Sequence, residues 1–282
     1  MSNNINDIQS AEFFLVSTPI GNLKDITFRA IEVLTNSDII LCEDTRKTII
    51  LLNHYEIKKK LISYNDHNKF EIIPQVLRSI EEGKKISLVS DAGTPVISDP
   101  GYHLIQELIV KGIRVIPIPG ASSVIAAVSA AGLPADNFLF IGFLPNNETK
   151  IAGILNELKD SGITIIAFES AKRLKETIAI IADIFGNETK IVIARELTKL
   201  YEEFIRSTAQ EILKSNSYNF IGEITLLFSN KEILNKSKNV VDRKLIKLYN
   251  KMLNEGVSKN SALKIIADTF GLKKNFLYEI VT

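Results

Sequence analysis

Short apolar runs that alternate with helix-period segments, glycines placed at the ends of those segments, and loops rich in Gly, Pro and small hydroxyl residues after the runs predict an α/β protein. The rhythm changes once along the chain, so two α/β lobes are expected. The first has a mostly parallel sheet, the second a mixed one, and a small helical unit follows.

In the first lobe, strands are expected over residues 13–17, 37–42, 61–64, 86–90 and 114–118, each a compact apolar run followed by a loop. Helices are expected over 27–35, 46–54, 70–82, 102–111 and 121–131, with Gly83 and Gly112 as C-terminal stops because glycine adopts the left-handed cap without a Cβ penalty. After Gly132-Leu133-Pro134 come strand 138–143, helix 148–161, strand 163–168, helix 171–185 and strand 190–195. Two further strands, 201–206 and 223–229, surround a short helix at 209–214 without a regular βαβ rhythm, which favours a mixed sheet. A polar stretch rich in Asn, Lys and Ser then reads as a linker. Helix 240–254 carries Leu245, Leu248, Tyr249 and Met252 on one face, and residues 258–281 read as two short helices broken at Gly271. The expected units are an N-terminal lobe (12–120), a second lobe (121–230) joined within 120–137, and a helical unit (238–282).

The chain's 282 residues can bury a substantial core without metals or disulfides, and 45% hydrophobic with 24% charged residues is an ordinary globular composition. A single cysteine, Cys42, excludes an internal disulfide, and the first 17 residues lack a signal-peptide pattern, so the cytoplasm is the expected compartment. No apolar run reaches the ~18 residues of a membrane span. The net charge of +1 hides an asymmetry: residues 231–282 hold 11 Lys+Arg and 5 Asp+Glu, leaving the preceding 230 residues acidic. Such a basic tail is either a solvated helical face or a phosphate-binding arm.

Open α/β sheets bind ligands beyond the carboxyl ends of their strands, which directs attention to the loops there. Three combine Gly, Pro and short hydroxyl residues: 17–23 (STPIGNL), 91–101 (DAGTPVISDPG) and 117–123 (PIPGASS). Each alone could be a helix-capping turn; three at one sheet edge suit a polar ligand held against main chain. Neither GxGxxG after the first strand nor GxxxxGK[ST] is present, which leaves nicotinamide and P-loop chemistry without support. The serine-hydrolase GxSxG elbow is absent too. His54, His67 and His103 are too widely spaced for a helix-borne pair, and no metal is expected. After the second strand, Glu43-Asp44-Thr45-Arg46 puts two carboxylates, a hydroxyl and a guanidinium at a strand-to-helix corner. Either Asp44 or Thr45 caps the helix, or a carboxylate accepts a proton while Arg46 holds a phosphate.

Segments TPIGNL (18–23), EDTR (43–46), SDAGTPVISDPGY (90–102), PGASS (119–123), AAGLP (130–134) and GFLP (142–145) resemble the ribosomal RNA small subunit methyltransferase I family of the tetrapyrrole methylase superfamily. The likeness continues through FES (168–170), ARELTK (194–199), GE (222–223) and LKKN (272–275), nearly the whole chain. The resemblance implies S-adenosylmethionine-dependent 2′-O-methylation of a cytidine ribose in the decoding region of 16S ribosomal RNA by a homodimer, with the cofactor in the cleft between lobes. It implies cofactor contacts at Pro19, Asp91, Ala92, Gly93, Thr94, Val96, Ala121, Ser122, Ser123, Phe168, Leu197 and Ile224.

A neutral hydroxyl needs a general base, for which Glu43, Asp44 and Asp99 are the candidates. Arg46 and Arg29 are expected at RNA phosphate. In the tail, apolar Ala262, Ile265, Ile266, Phe270, Leu272, Phe276 and Leu277 suit a helix-turn-helix-like unit that leaves Lys259, Lys264, Lys273 and Lys274 for RNA. The competing expectations are a porphyrinoid (precorrin-type) C-methyltransferase of the same superfamily and a nucleic-acid-binding metabolite sensor.

Overall fold

A computed structural model describes residues 13–215, 220–230, 244–270 and 277–278. The first five strands, β1 (Phe13–Val16), β2 (Ile39–Cys42), β3 (Lys60–Ser63), β4 (Ile86–Val89) and β5 (Val115–Ile118), form one sheet in the order β3-β2-β4-β1-β5. Every neighbouring pair is parallel. Both faces are buried, as parallel sheets with crossover helices require. Phe14, Val16, Ile40 and Cys42 join Ala30 and Leu34 of helix Phe28–Asn36 and Leu52 of helix Thr45–His54 on one face. Phe13, Leu41, Ile86 and Leu88 meet helices Lys69–Glu81 and Tyr102–Val110 on the other. In helix Lys69–Glu81 the buried positions are Ile72, Ile73, Val76 and Ile80, a stripe of 3.6-residue period, each contributing roughly 1.5–3 kcal/mol by burial. Pro117 sits in edge strand β5, where its missing N–H interrupts no central ladder.

The second sheet, β6 (Phe138–Phe143), β7 (Thr164–Ser170), β8 (Lys190–Arg195), β9 (Glu203–Thr208) and β10 (Glu223–Ser229), has the order β6-β7-β10-β8-β9. Only β6 and β7 pair parallel; β10 lies antiparallel between β7 and β8, and β8 pairs antiparallel with β9. One face packs on helices Glu148–Leu158, Leu174–Phe185 and Ala209–Lys214. The other receives helix Ser123–Ala131, whose Val124, Ala127, Val128 and Ala131 meet Ile166, Val192 and Leu227, together with Ile20 from the first lobe. The architecture is the expected α/β one, a parallel sheet followed by a mixed one.

Boundaries moved where loops were compact. Strand β9 starts at Glu203 rather than 201, because Glu196 (φ 50°) and Thr198 (φ 66°) turn the chain and leave Leu200 and Tyr201 exposed before it pairs with β8. The helix expected from 171 begins at Leu174 after a turn. In the tail, residues 244–254 are helical and Lys259–Phe270 form a second helix. Leu245, Tyr249, Ala262, Leu263, Ile266 and Leu277 make a small core of their own. Ile265 and Phe270, expected in that core, are exposed, and Leu263 takes a buried place instead. The break at Gly271, with Leu272, Lys273, Lys274 and Phe276, lies outside the described residues.

Candidate active site

The carboxyl edge of the first sheet is laced by short bonds that the loop composition makes possible. Thr18 and Gly93 exchange backbone bonds of 2.9 and 3.1 Å, and the Ser17 hydroxyl donates to Thr94 Oγ1, which donates to the Ala121 carbonyl. Asp91 ties in the strand-β2 loop, accepting the Asp44 N–H at 3.0 Å and pairing with Lys47 Nζ at 2.9 Å. In the loop after β4, Val96 (φ 74°) and Ser98 (φ 63°) occupy the left-handed region, a costly conformation for a β-branched residue that persists only where packing enforces it. Gly101 explains the enforcement: at φ 150° it has no Cβ, and one there would lie 2.6 Å from Val96 Cγ2.

The second lobe closes over this edge. Gly21 approaches the loop after β8 so tightly that a Cβ would lie 2.5 Å from Lys199 Cγ and 2.8 Å from Thr198 Oγ1, while the Asn22 N–H donates to Thr198 Oγ1 at 3.0 Å. Lys199 bridges Glu196 at 3.0 Å and Glu223 at 2.9 Å. Gly21→Val is expected to push these loops apart, destabilising the fold by about 1–3 kcal/mol as an overpacked contact. Thermal unfolding compared with the parent chain checks it.

Between the lobes lies a cavity of about 540 Å³, within the usual range for a small-molecule site. The first lobe supplies Ile20, Glu43, Lys47, residues 91–94, Ile97, Ser98 and Asp99; Ser122, Ser123 and Val124 of the helix start line it too. From the second lobe come Phe143, Phe168, Glu169, Ser170, Arg173, Ala194, Leu197, Gly222, Glu223, Ile224 and Thr225. Phe143 and Phe168 are 5.1 Å apart between ring centroids. Glu169 is fully buried at its side chain and accepts from Arg173 Nη2 at 2.6 Å and Thr177 Oγ1 at 2.7 Å. Arg173 also donates to the carbonyls of Leu144 and Pro145, fastening the loop after β6.

The first-lobe wall carries the carboxyls of Glu43, Asp91 and Asp99. Burial, with Glu43 and Asp91 nearby, pushes the Asp99 carboxyl up to about 6. Glu43 is also raised, by burial first and by Asp91 next. Asp44 behaves oppositely: hydrogen bonds from Arg46 hold it down at about 2. Its carboxylate accepts the Arg46 N–H, Nε and Nη2 and caps helix Thr45–His54.

Of the residues expected in a site, the cavity brings together Glu43, Asp91, Ala92, Gly93, Thr94, Asp99, Ser122, Ser123, Phe168, Leu197 and Ile224. Pro19, Val96 and Ala121 lie in the same loops but do not line it, and neither do Asp44, Arg46 and Arg29. Arg29 is exposed on helix Phe28–Asn36. Lys273 and Lys274 lie outside the described residues. Sequence reasoning missed Lys47, Phe143, Arg173 and the carboxyl of Glu169. The i,i+4 spacing of Glu169 and Arg173 was a usable signal, whereas Lys47 meets Asp91 only because β2 and β4 are neighbours. Among the described residues no cluster of three or more His, Cys, Asp or Glu could hold a metal ion, and no helix is long and apolar enough to cross a membrane.

Tetrapyrrole (Corrin/Porphyrin) Methylases is the family whose profile matches, over residues 12–213. Ribosomal RNA small subunit methyltransferase I of Rickettsia prowazekii is 41% identical over 278 residues, 97% of each chain. The enzyme of the same name from Thermotoga maritima is 45% identical over 222 residues, 78% of this chain and 99% of its own. Among solved structures, a diphthine synthase superposes with a TM-score of 0.60 at 15% identity, covering 79% of this chain and 94% of that one. A cobalt precorrin-4 methyltransferase of cobalamin biosynthesis gives 0.59 at 18%, covering 81% and 98%. These two likenesses establish the fold; the sequence relatives go further, and with residues 12–213 matched and near-complete coverage, the chain belongs to the ribosomal RNA small subunit methyltransferase I family of the tetrapyrrole methylases.

Proposed function

We propose that this chain transfers a methyl group from S-adenosylmethionine to the 2′-hydroxyl of a cytidine in the decoding region of 16S ribosomal RNA, acting as a homodimer, with Asp99 as general base. The observation that carries the reading is the inter-lobe cavity itself, where apolar Ile20, Phe168, Leu197 and Ile224 stand together with the first-lobe carboxyls of Glu43, Asp91 and Asp99. Relatives at 41 and 45% identity bear an rRNA methyltransferase name, while the precorrin enzyme shares 18%.

The cavity residues fit the cofactor's chemistry. Ile20, Phe168, Leu197 and Ile224 offer apolar cover for an adenine, and the small residues 91–94 expose backbone groups for hydrogen bonds. The first turn of helix Ser123–Ala131 lines the cavity, where the positive end of the helix favours a carboxylate. The bound cofactor supplies an electrophilic methyl on a sulfonium.

The protein's share of the reaction is orientation and proton removal. Loops fixed by Gly93, Thr18, Thr94 and Ala121 hold the reactants in line, and such alignment is worth about 7–11 kcal/mol of barrier. Asp99 withdraws the hydroxyl proton; its raised value makes it a stronger base than an ordinary carboxylate. Glu43 is the second candidate for that role. Asp44, engaged by Arg46 and outside the cavity, fits the capping role better. Arg46 and Arg29 on the surface, and Lys273 and Lys274 in the basic tail, are the proposed phosphate contacts.

Incubation with methyl-labelled cofactor and 30S subunits, followed by mapping of the modified nucleotide, is the test. Label in a ribose-methylated cytidine of 16S RNA is expected. Label in a base, or none in RNA under conditions where the chain binds the cofactor, overturns the reading.

A further inference from the structure

Beyond the cavity, three aromatic side chains gather on the same edge of the first sheet. Phe70 lies in the first turn of helix Lys69–Glu81, and Tyr102 and His103 open helix Tyr102–Val110. The Phe70 and His103 ring centroids are 6.3 Å apart at 41°, and those of Tyr102 and His103 5.6 Å apart at 64°. Phe70 is 76% exposed and Tyr102 61% exposed. Aromatic faces left this open beside one another are characteristic of surfaces that receive a partner.

The patch stands on rigid supports. Buried Tyr64, just beyond β3, shares a core cluster with Leu104 of helix Tyr102–Val110. Asn68 Nδ2 donates to the Ser63 carbonyl at 2.9 Å. The helix starts that carry the rings are therefore pinned to the sheet.

Position and chemistry identify the occupant. Tyr102 follows Asp99 by three residues, so their Cα atoms lie within about 11 Å. Adjacent nucleotides of a single strand can span that distance. Lys69 holds its ammonium 5.5 Å from the Phe70 ring centre while pairing with Asp66 Oδ1 at 3.0 Å, and His67 and His103 stand near the same carboxylate. Open flat rings beside the cavity suit an unpaired base, since single-stranded RNA is held by stacking on aromatic side chains.

We propose that Phe70, His103 and Tyr102 form a stacking platform for an unpaired base of the RNA strand that enters the cavity. This rests on the rRNA methyltransferase reading above, and the two are separable by experiment. The chain contains no Trp, so Phe70→Trp introduces a single indole reporter. Its emission is expected to be quenched saturably by an oligoribocytidylate. Phe70→Ala and Tyr102→Ala are expected to lower kcat/KM for 30S subunits about tenfold, chiefly through KM, with cofactor affinity by calorimetry unchanged. Phe70→Tyr, which keeps a ring, is expected to retain the parent value.

Unquenched emission, or alanine variants that methylate subunits at the parent's efficiency, overturns the platform. If the parent chain transfers no methyl to subunits yet the indole is quenched, the platform stands and the choice of RNA substrate falls.

Discussion

Asp99→Asn is expected to lower kcat for methyl transfer by about 10²- to 10⁴-fold, the usual contribution of a positioned general base, while making the folded chain more stable at neutral pH. Both effects follow from one environment. Asp99 sits half-buried beside Glu43 and Asp91, and ionising it there is unfavourable, which is why its carboxyl is raised to about 6 from an ordinary 3.8. A carboxyl raised in the folded state binds its proton more tightly there than in the unfolded chain. Its contribution to stability is therefore complete below pH ~3.8 and is lost as pH rises to about 6. Asparagine carries no charge to bury. That rise corresponds to about 3 kcal/mol, and screening by the solvent that reaches this carboxyl reduces the expected gain to about 1–1.5 kcal/mol. Urea unfolding at pH 7 and at pH 4 reads it: the variant's advantage is expected at pH 7 and strongly reduced at pH 4. The parent's kcat is expected to fall as pH drops below about 6, when Asp99 takes up a proton. A profile flat to pH 5, or an Asp99→Asn enzyme of parental activity, would assign the proton to Glu43 instead.

Removing one partner of the Glu169–Arg173 pair should have the largest effect on stability. The Glu169 carboxylate has no solvent exposure, and Arg173, Thr177 and the Ser170 N–H share its lone pairs. Arg173→Ala leaves that charge buried without its counterion and frees the Leu144 and Pro145 carbonyls, for an expected cost of about 3–5 kcal/mol. The loop it releases follows Phe143, whose ring meets Phe168 at the cavity, so cofactor affinity should fall as well. Denaturant midpoints and calorimetry measure the two losses. The double variant Glu169→Gln with Arg173→Met is expected to recover much of the stability, because it removes the stranded charge along with its partner. A cycle in which the two single losses simply add would mean that the pair is not energetically coupled.

The fold was largely legible because burial and backbone chemistry leave periodic marks. The unbroken apolar runs Phe13–Val16 and Ile39–Cys42, the stripe at Ile72, Ile73, Val76 and Ile80, and the stops at Gly83 and Gly112 are local signals. Helix Ala209–Lys214 has the expected bounds, and Thr208 with Glu211 forms a full capping box at its start. The loop between β8 and β9 misled because Tyr201 alternates like a strand residue while the turns at Glu196 and Thr198 carry no glycine. At the site, the loops with Gly, Pro and hydroxyl residues announced themselves by composition. Lys47 and Phe143 did not, since a lysine in a first helical turn and a phenylalanine at a strand end are ordinary locally; only sheet order and lobe closure bring them to the cavity. The tie from Arg173 to the Leu144 and Pro145 carbonyls joins segments far apart in sequence and has no local mark.

The position of β10 has a consequence for how the protein is made. This strand, last of the ten among the described residues, fills the middle of its sheet between β7 and β8 and carries Ile224 and Thr225 into the cavity wall. A nascent chain that has emerged only as far as β9 therefore presents two inward-facing strand edges with nothing between them, the kind of surface that invites pairing with other chains. Synthesis interrupted before residue 223 would yield a sticky fragment without a closed pocket, so the second lobe locks only at the finish of translation of its final strand.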